Sequence, residues 1–189
     1  MPLPVFTKTQ KLALSGRHSW EEFKAVQSVM GQQLGLRMSY LDGEIELKTR
    51  GEHHECIKSM LNLLLSLHFW QKRIDFIPVG SATRESEEQS VSFEPDESYY
   101  LGEQKEHPDL AIEINITHSS SDKLEKYQRL RIKEVWMWQV DKFLIYALAE
   151  GNYQEIPSSK LLPDLNFSLL SECLLMPSCL QAIQVFTKA

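Results

Sequence analysis

The alternation of apolar and polar residues divides the 189-residue chain into readable elements. Trp20, Phe23, Val26 and Met30 recur at helical spacing. Just ahead of them, Ser19 to Glu22 forms a capping box, in which serine and glutamate each satisfy a backbone N–H of the first turn. A first helix is therefore predicted, ending near Gly31 or Gly35. Arg37 to Lys48 predicts two strands about Leu41-Asp42-Gly43, since Asp-Gly suits the tight hairpin turn. Ile45 and Leu47 alternate with Glu44 and Glu46, so one face of that hairpin is wet. From about Glu52 to Phe69, the residues Ile57, Met60, Leu61, Leu64 and Leu67 mark the buried stripe of a long amphipathic helix. Ile74 to Val79 predicts a short strand closed by Gly80. Ser81 to Gln89 predicts a polar surface loop, and Phe93 to Leu101 a strand entered through Pro95.

Leu110 to Ile116 predicts a central strand with two unlike faces. Leu110, Ile112, Ile114 and Ile116 share one side and should pack under helices, while Asp109, Ala111, Glu113 and Asn115 share the other. A Ser-rich turn follows. Then comes a helix from Lys123, capped by Asp122 or Ser121 and docked by Leu124, Tyr127 and Leu130. Glu134 to Val140 is a β-prone run, turned at Asp141-Lys142 and returned by Phe143 to Leu148. After a break at Leu161-Leu162-Pro163, helical segments are predicted around Leu169 to Leu175 and Ser178 to Phe186, separated by Pro177.

Length fits one domain over residues 1–189. No apolar run approaches the roughly 18 residues of a membrane span, and the N-terminus lacks a charged-then-apolar leader pattern. The expectation is a cytoplasmic protein with no membrane partner. Three cysteines (Cys56, Cys173 and Cys179), odd in number and without metal-like spacing, fit a reduced compartment. The net charge of −6 counts against a strong non-specific DNA binder. It leaves room for a nuclease whose carboxylates hold a cation.

That chemistry is where the polar residues point. Phosphodiester cleavage needs a cation to neutralise the scissile phosphate and acidify a water. Magnesium takes oxygen ligands, commonly one or two carboxylates plus waters. A positive side chain then steadies the attacking water or the developing charge. Asp96 begins one predicted strand and Glu113 is central in the next, and paired strands lie about 4.8 Å apart. An unpaired carboxylate is costly in a core, so the Glu113 face must be a cleft or a partly wet surface. Lys123 and Lys126 lie beside the docking stripe of their helix, either on a solvated face or turned to that cleft. Glu55, in the first turn of the long helix, lies beside the core and is favoured there by the helix dipole. Other chemistries fit less well. His54-Glu55-Cys56-Ile57-Lys58 begins like a zinc-protease helix but has Lys58 where a second histidine is needed. Adjacent His53 and His54 cannot face one way on a helix, which disfavours a zinc site with Cys56. No Gly-rich phosphate loop is present, and Ser119 to Ser121 reads as a cap.

Several segments, taken in order, resemble the Uma-two family of restriction-endonuclease-like proteins in the PD-(D/E)XK nuclease superfamily. They are Glu94 to Tyr100, Pro108 to Ile114, Asp122 to Tyr127, Glu134 to Trp138 and Leu161 to Leu165, with weaker echoes at Tyr40 to Glu46, His54-Glu55 and Gly80 to Thr83. The resemblance implies an α+β fold with an α/β core, a restriction-endonuclease-like central mixed β-sheet flanked by helices. It implies a DNA endonuclease using Mg²⁺, with Mn²⁺ as a substitute, acting on DNA as a homodimer. Residue by residue, it makes Asp96 and Glu113 metal ligands, adds the Ile114 carbonyl, and makes Glu55 the helical glutamate that completes the site. The superfamily lysine normally sits two residues past the (D/E). Asn115 stands there, and the resemblance shifts the role to Lys123. Asp109 is also part of a Pro-Asp pair, but four residues along one strand is about 13 Å, too far to share an ion with Glu113. The alternative reading is a DNA-binding or protein-interaction module on the same fold with little or no catalysis.

Overall fold

A computed structural model describes residues 10–30, 35–115 and 122–188. Its chain order is β1 (Lys11–Ala13), α1 (Trp20–Met30), β2 (Leu36–Leu41), β3 (Glu44–Thr49), α2 (Glu52–Lys72), β4 (Phe76–Pro78), β5 (Arg84–Ser86) and β6 (Val91–Phe93). There follow β7 (Glu97–Leu101), β8 (Leu110–Asn115), α3 (Asp122–Arg129), β9 (Glu134–Gln139), β10 (Lys142–Ala149), β11 (Asn152–Ile156), α4 (Phe167–Leu174) and α5 (Cys179–Phe186). The strands make two sheets, one ordered β1-β3-β2-β6-β5 and the other β11-β10-β9-β8-β7-β4. The larger sheet is mixed, since β8 and β9 run parallel and every other pair in it is antiparallel. The protein thus has an α+β fold.

Local chemistry accounts for the elements. The Ser19 hydroxyl accepts from the Glu22 N–H, and the Glu22 carboxylate accepts from the Ser19 N–H, so the capping box starts α1 as the spacing predicts. Phe23 is buried and Trp20, Val26 and Met30 pack beside it on Met38, Tyr40, Ile45 and Leu47 of the smaller sheet. Asp42 and Gly43 turn the β2–β3 hairpin, both at positive φ (47° and 91°). The largest core lies on one face of the larger sheet. There Leu110, Ile112 and Ile114 of β8 meet Ile57, Leu61, Leu64 and Leu65 of α2 and Leu170 of α4. The isoleucine face therefore packs as the alternation predicts; Ile116 lies outside the described residues.

The opposite face of β8 carries Ala111 and packs with Tyr127 of α3, Leu130 just past its end, and Val91 and Phe93 of β6. Helix α3 thus fills the junction between the two sheets. Arg129 ties it to Asp42 at 2.6 Å, and Lys126 to Ser39 at 2.5 Å.

Three expectations need correction. Phe93 to Leu101 is not one strand: it breaks at Glu94-Pro95-Asp96, and β6 and β7 belong to different sheets. Proline fixes φ and lacks the N–H that a ladder needs, so the chain changes sheets there. Ser81 to Gln89 is not all loop, because Arg84–Ser86 pairs with Val91–Phe93. A strand of three residues with no apolar alternation leaves little trace in the pattern. The β9–β10 turn sits at Val140-Asp141 rather than Asp141-Lys142, with positive φ at both residues, and a further strand, β11, extends that hairpin. Among the described residues no helix is long and apolar enough to cross a membrane.

Candidate active site

The chain crosses between sheets at Pro95-Asp96, and the crossing puts Asp96 at the mouth of the β7–β8 pair. Strand β7 begins only at Glu97, opposite Ile112, so the N–H of Ile114 on that edge has no strand partner. The Asp96 carboxylate accepts from it at 2.6 Å, while the Asp96 N–H donates to the Ile112 carbonyl at 3.1 Å. Asp96 therefore clasps the backbone on both sides of Glu113. A buried backbone donor needs an acceptor, which is why a short carboxylate is held here.

The Asp96 side chain is completely buried. Its Oδ2 also lies 3.1 Å from His54 Nε2, and Oδ1 faces the Arg50 guanidinium. Arg50 Nη2 and Asp96 Oδ1 form a buried ion pair in direct contact. Burial alone would raise the Asp96 carboxyl. The His54 hydrogen bond and the charges of Arg50, His54 and Lys48 outweigh it and hold the group well below the usual carboxylate range.

Glu113 is buried on the α3 side of β8, and the Tyr127 hydroxyl donates to its Oε1. The Tyr127 ring is fixed against Phe93, with centroids 4.6 Å apart. Burial, then the neighbouring Glu113 and Asp96 charges, push the Tyr127 hydroxyl well above its ordinary range, so it stays protonated and donates. Glu113, Tyr127 and Lys126 line a cavity of about 450 Å³ whose other wall is the smaller sheet, including Arg37, Lys48 and Arg50.

Glu55 stands at the edge of this group. Its side chain is 48% exposed, with Oε1 3.2 Å from His54 Nδ1 and 4.0 Å from Arg50. It therefore reaches Asp96 through His54 rather than beside Glu113. The backbone of Lys123 lies in the first turn of α3, and its side chain falls outside the described residues, as do those of Asn115 and Asp122. Asp109 is bound elsewhere, by Lys105 at 2.5 Å, Lys133 at 2.7 Å and the Leu101 N–H at 2.9 Å. His54 points to Asp96 while His53 is exposed, so the two histidines do diverge.

Sequence reasoning passed over Arg50 and the His54 and Tyr127 contacts. Tyr127 was visible as part of a docking stripe and of a segment that carries the family resemblance, but neither signals that its hydroxyl reaches Glu113. His54 sat in a helix whose zinc reading failed, and nothing in the spacing pairs it with Asp96.

The chain matches the family model Uma2, described as "Putative restriction endonuclease", over residues 20–176. The chain belongs to the Uma2 family. The match spans β2 to β11 and α1 to α4, including Asp96 and Glu113, and leaves out β1 and α5. The architecture agrees with a restriction-endonuclease-like fold, and proteins of that type generally use divalent metals and act on DNA. No curated protein matched the chain.

The fit of a divalent ion can be tested on the donors. Asp96, Glu113 and the Ile114 carbonyl are hard oxygen donors on adjoining segments, the set that magnesium prefers. Asp96 Oδ1 is a buried oxygen in contact with a positive group. Among the described residues no three His, Cys, Asp or Glu side chains are gathered as a cage. The donors thus suit an ion carried by two carboxylates and water, with Arg50 as the positive charge that Oδ1 otherwise faces.

Proposed function

We propose that this Uma2 protein is a metal-dependent endonuclease that hydrolyses DNA phosphodiester bonds. The observation that carries the reading is the clasp of Asp96 on the backbone either side of Glu113, which sets two carboxylates from neighbouring segments at one end of the sheet. Asp96, Glu113 and the Ile114 carbonyl would hold Mg²⁺, or Mn²⁺ in its place, with Glu55 joining through water. When bound, the ion neutralises the scissile phosphate and acidifies a water.

The chain's own residues do the rest. Tyr127 holds one Glu113 oxygen through its hydroxyl. His54 and the Ile114 N–H together hold Asp96 Oδ2, so the free choice of that carboxylate is confined to Oδ1. Lys123, opening α3 after the strand that bears Glu113, would orient the attacking water in the role that Asn115 cannot fill. Two copies acting together would cut both strands.

One observation favours the second reading, a module with little catalysis: the Arg50 charge already faces Asp96 Oδ1. Supercoiled plasmid incubated with Mg²⁺ or Mn²⁺, with EDTA as control, separates the two. Nicked and linear products that EDTA prevents are expected. Plasmid left intact with either metal would favour the non-catalytic module.

A further inference from the structure

The strand pairing of the smaller sheet places like charges directly opposite one another. Lys11 of β1 pairs with Lys48 of β3, and Lys48 pairs with Arg37 of β2. Three cations therefore form a row across three strands, about 10 Å long from the spacing of paired strands. Two residues after Lys48, and so on the same side of the chain, Arg50 lies beside the middle of the row, just past the end of β3. All four residues line the cavity that Glu113 borders.

Directly opposed like charges destabilise a sheet, so such a row needs an anion. Carboxylates lie beside the row: Glu46 is 2.6 Å from Lys11 and Glu94 is 3.0 Å from Arg37. Glu44 also lines the wall. In the Lys11 pair the lysine is open to solvent and its Glu46 partner is half-buried, so the lysine can turn to another anion. Burial, then the Arg50 charge, lower the Arg37 guanidinium from its ordinary value, a sign that the two arginines press on each other.

Arg50 gives an independent pointer. Its side chain is only 6% exposed, yet Nε and Nη1 have no hydrogen-bond partner among the described residues. Nη1 has only the distant Glu55 carboxylate, at 4.0 Å. A buried guanidinium with two unmet donors is matched by a phosphate, whose oxygens fit its planar fork.

We propose that Lys11, Lys48, Arg37 and Arg50 form a phosphate track, which holds successive phosphodiesters of a polynucleotide along the wall facing Glu113. The proposal rests on the nuclease reading only for nucleic acid as the source of the phosphates. It gives a chain of net charge −6 a local positive strip, and needs no metal.

The test is fluorescence anisotropy of a labelled DNA duplex, and of one of its strands, titrated with the full chain in EDTA at several salt concentrations. Binding should weaken linearly with log salt. Each phosphate contact adds about 0.9 to the slope for duplex and about 0.7 for single strands. Lys11→Gln with Lys48→Gln should flatten the duplex slope by about 2 and weaken binding by at least about tenfold. Lys142→Gln, an exposed lysine on β10, should change neither. Should the double variant not fold, Lys11→Gln alone, on an edge strand, should flatten the slope by about 0.9. An unchanged slope in a folded variant, or no salt-dependent binding by the wild type, overturns the track. Binding with these slopes but no cleavage in Mg²⁺ keeps the track and removes the nuclease. Cleavage with unchanged slopes does the reverse.

Discussion

Asp96 and Glu113 are held differently, and their substitutions should differ accordingly. Asp96 is buried between His54, Arg50 and the Ile114 N–H. Removing its charge strands a buried guanidinium, so Asp96→Asn should cost about 3–5 kcal/mol, read by denaturant unfolding. Loss of cleavage in that variant alone would therefore say little. The sign of the pH effect follows from its depressed pKa. The unfolded chain takes up this proton first as the solution is acidified. The stabilisation from Asp96 is then complete above the ordinary Asp pKa of about 3.9 and drains away as pH falls below it. Wild type should lose stability over that acid range more steeply than Asp96→Asn, and equal slopes would contradict the pairing. Tyr127→Phe removes the donor to Glu113 while keeping the ring on Phe93. It should cost about 1.5–3 kcal/mol, the range for a hydrogen bond to a charged group, and slow cleavage. A variant as stable and active as wild type would show that Tyr127 merely packs.

Among the elements, those built on one repeating pattern were legible and those built on a change of pattern were not. The capping box of α1, the Asp42-Gly43 hairpin, the stripe of α2 and the two faces of β8 all stand where alternation puts them. The break at Pro95 was visible as a proline, but that it moves the chain from one sheet to the other depends on partners distant in sequence. Strand β5 escaped because Arg84-Glu85-Ser86 has no apolar residue. Glu134 shows the same limit. It reads as the polar start of a β-prone run, yet it is buried and accepts from Trp136 Nε1, the Ser159 hydroxyl and the N–H groups of Lys160 and Leu161. That knot anchors the segment leading into α4. Glu134→Gln turns one acceptor into a donor facing N–H or O–H groups, and should cost about 1–3 kcal/mol per unmet group. Chemical denaturation would measure it, with cleavage by the folded fraction unchanged.

At the level of the molecule, two sheets meet along α3, and Glu113 and the cations line one cavity in that seam. Glu113 comes from the larger sheet, Arg37 and Lys48 from the smaller, and Lys126 from the helix between them. Glu113 was legible because it lies on a strand read from alternation; Asp96 stands in the break between β6 and β7, and only its place after Pro95 singled it out. The basic wall was not, because Lys11, Lys48 and Arg37 become neighbours only through strand register. The lysine role stays with Lys123 as a proposal, tested by Lys123→Met, which should abolish cleavage in a variant shown folded by its melting curve. The central claim is that Glu113 serves chemistry rather than packing. Gln at 113 keeps the shape and an oxygen to accept from Tyr127 while removing the charge a cation needs. The most direct test is plasmid cleavage in Mg²⁺ by Glu113→Gln beside wild type, each shown folded by its melting curve. The account predicts nicked and linear DNA from the wild type and none from the variant. Cleavage by Glu113→Gln at the wild-type rate would contradict it.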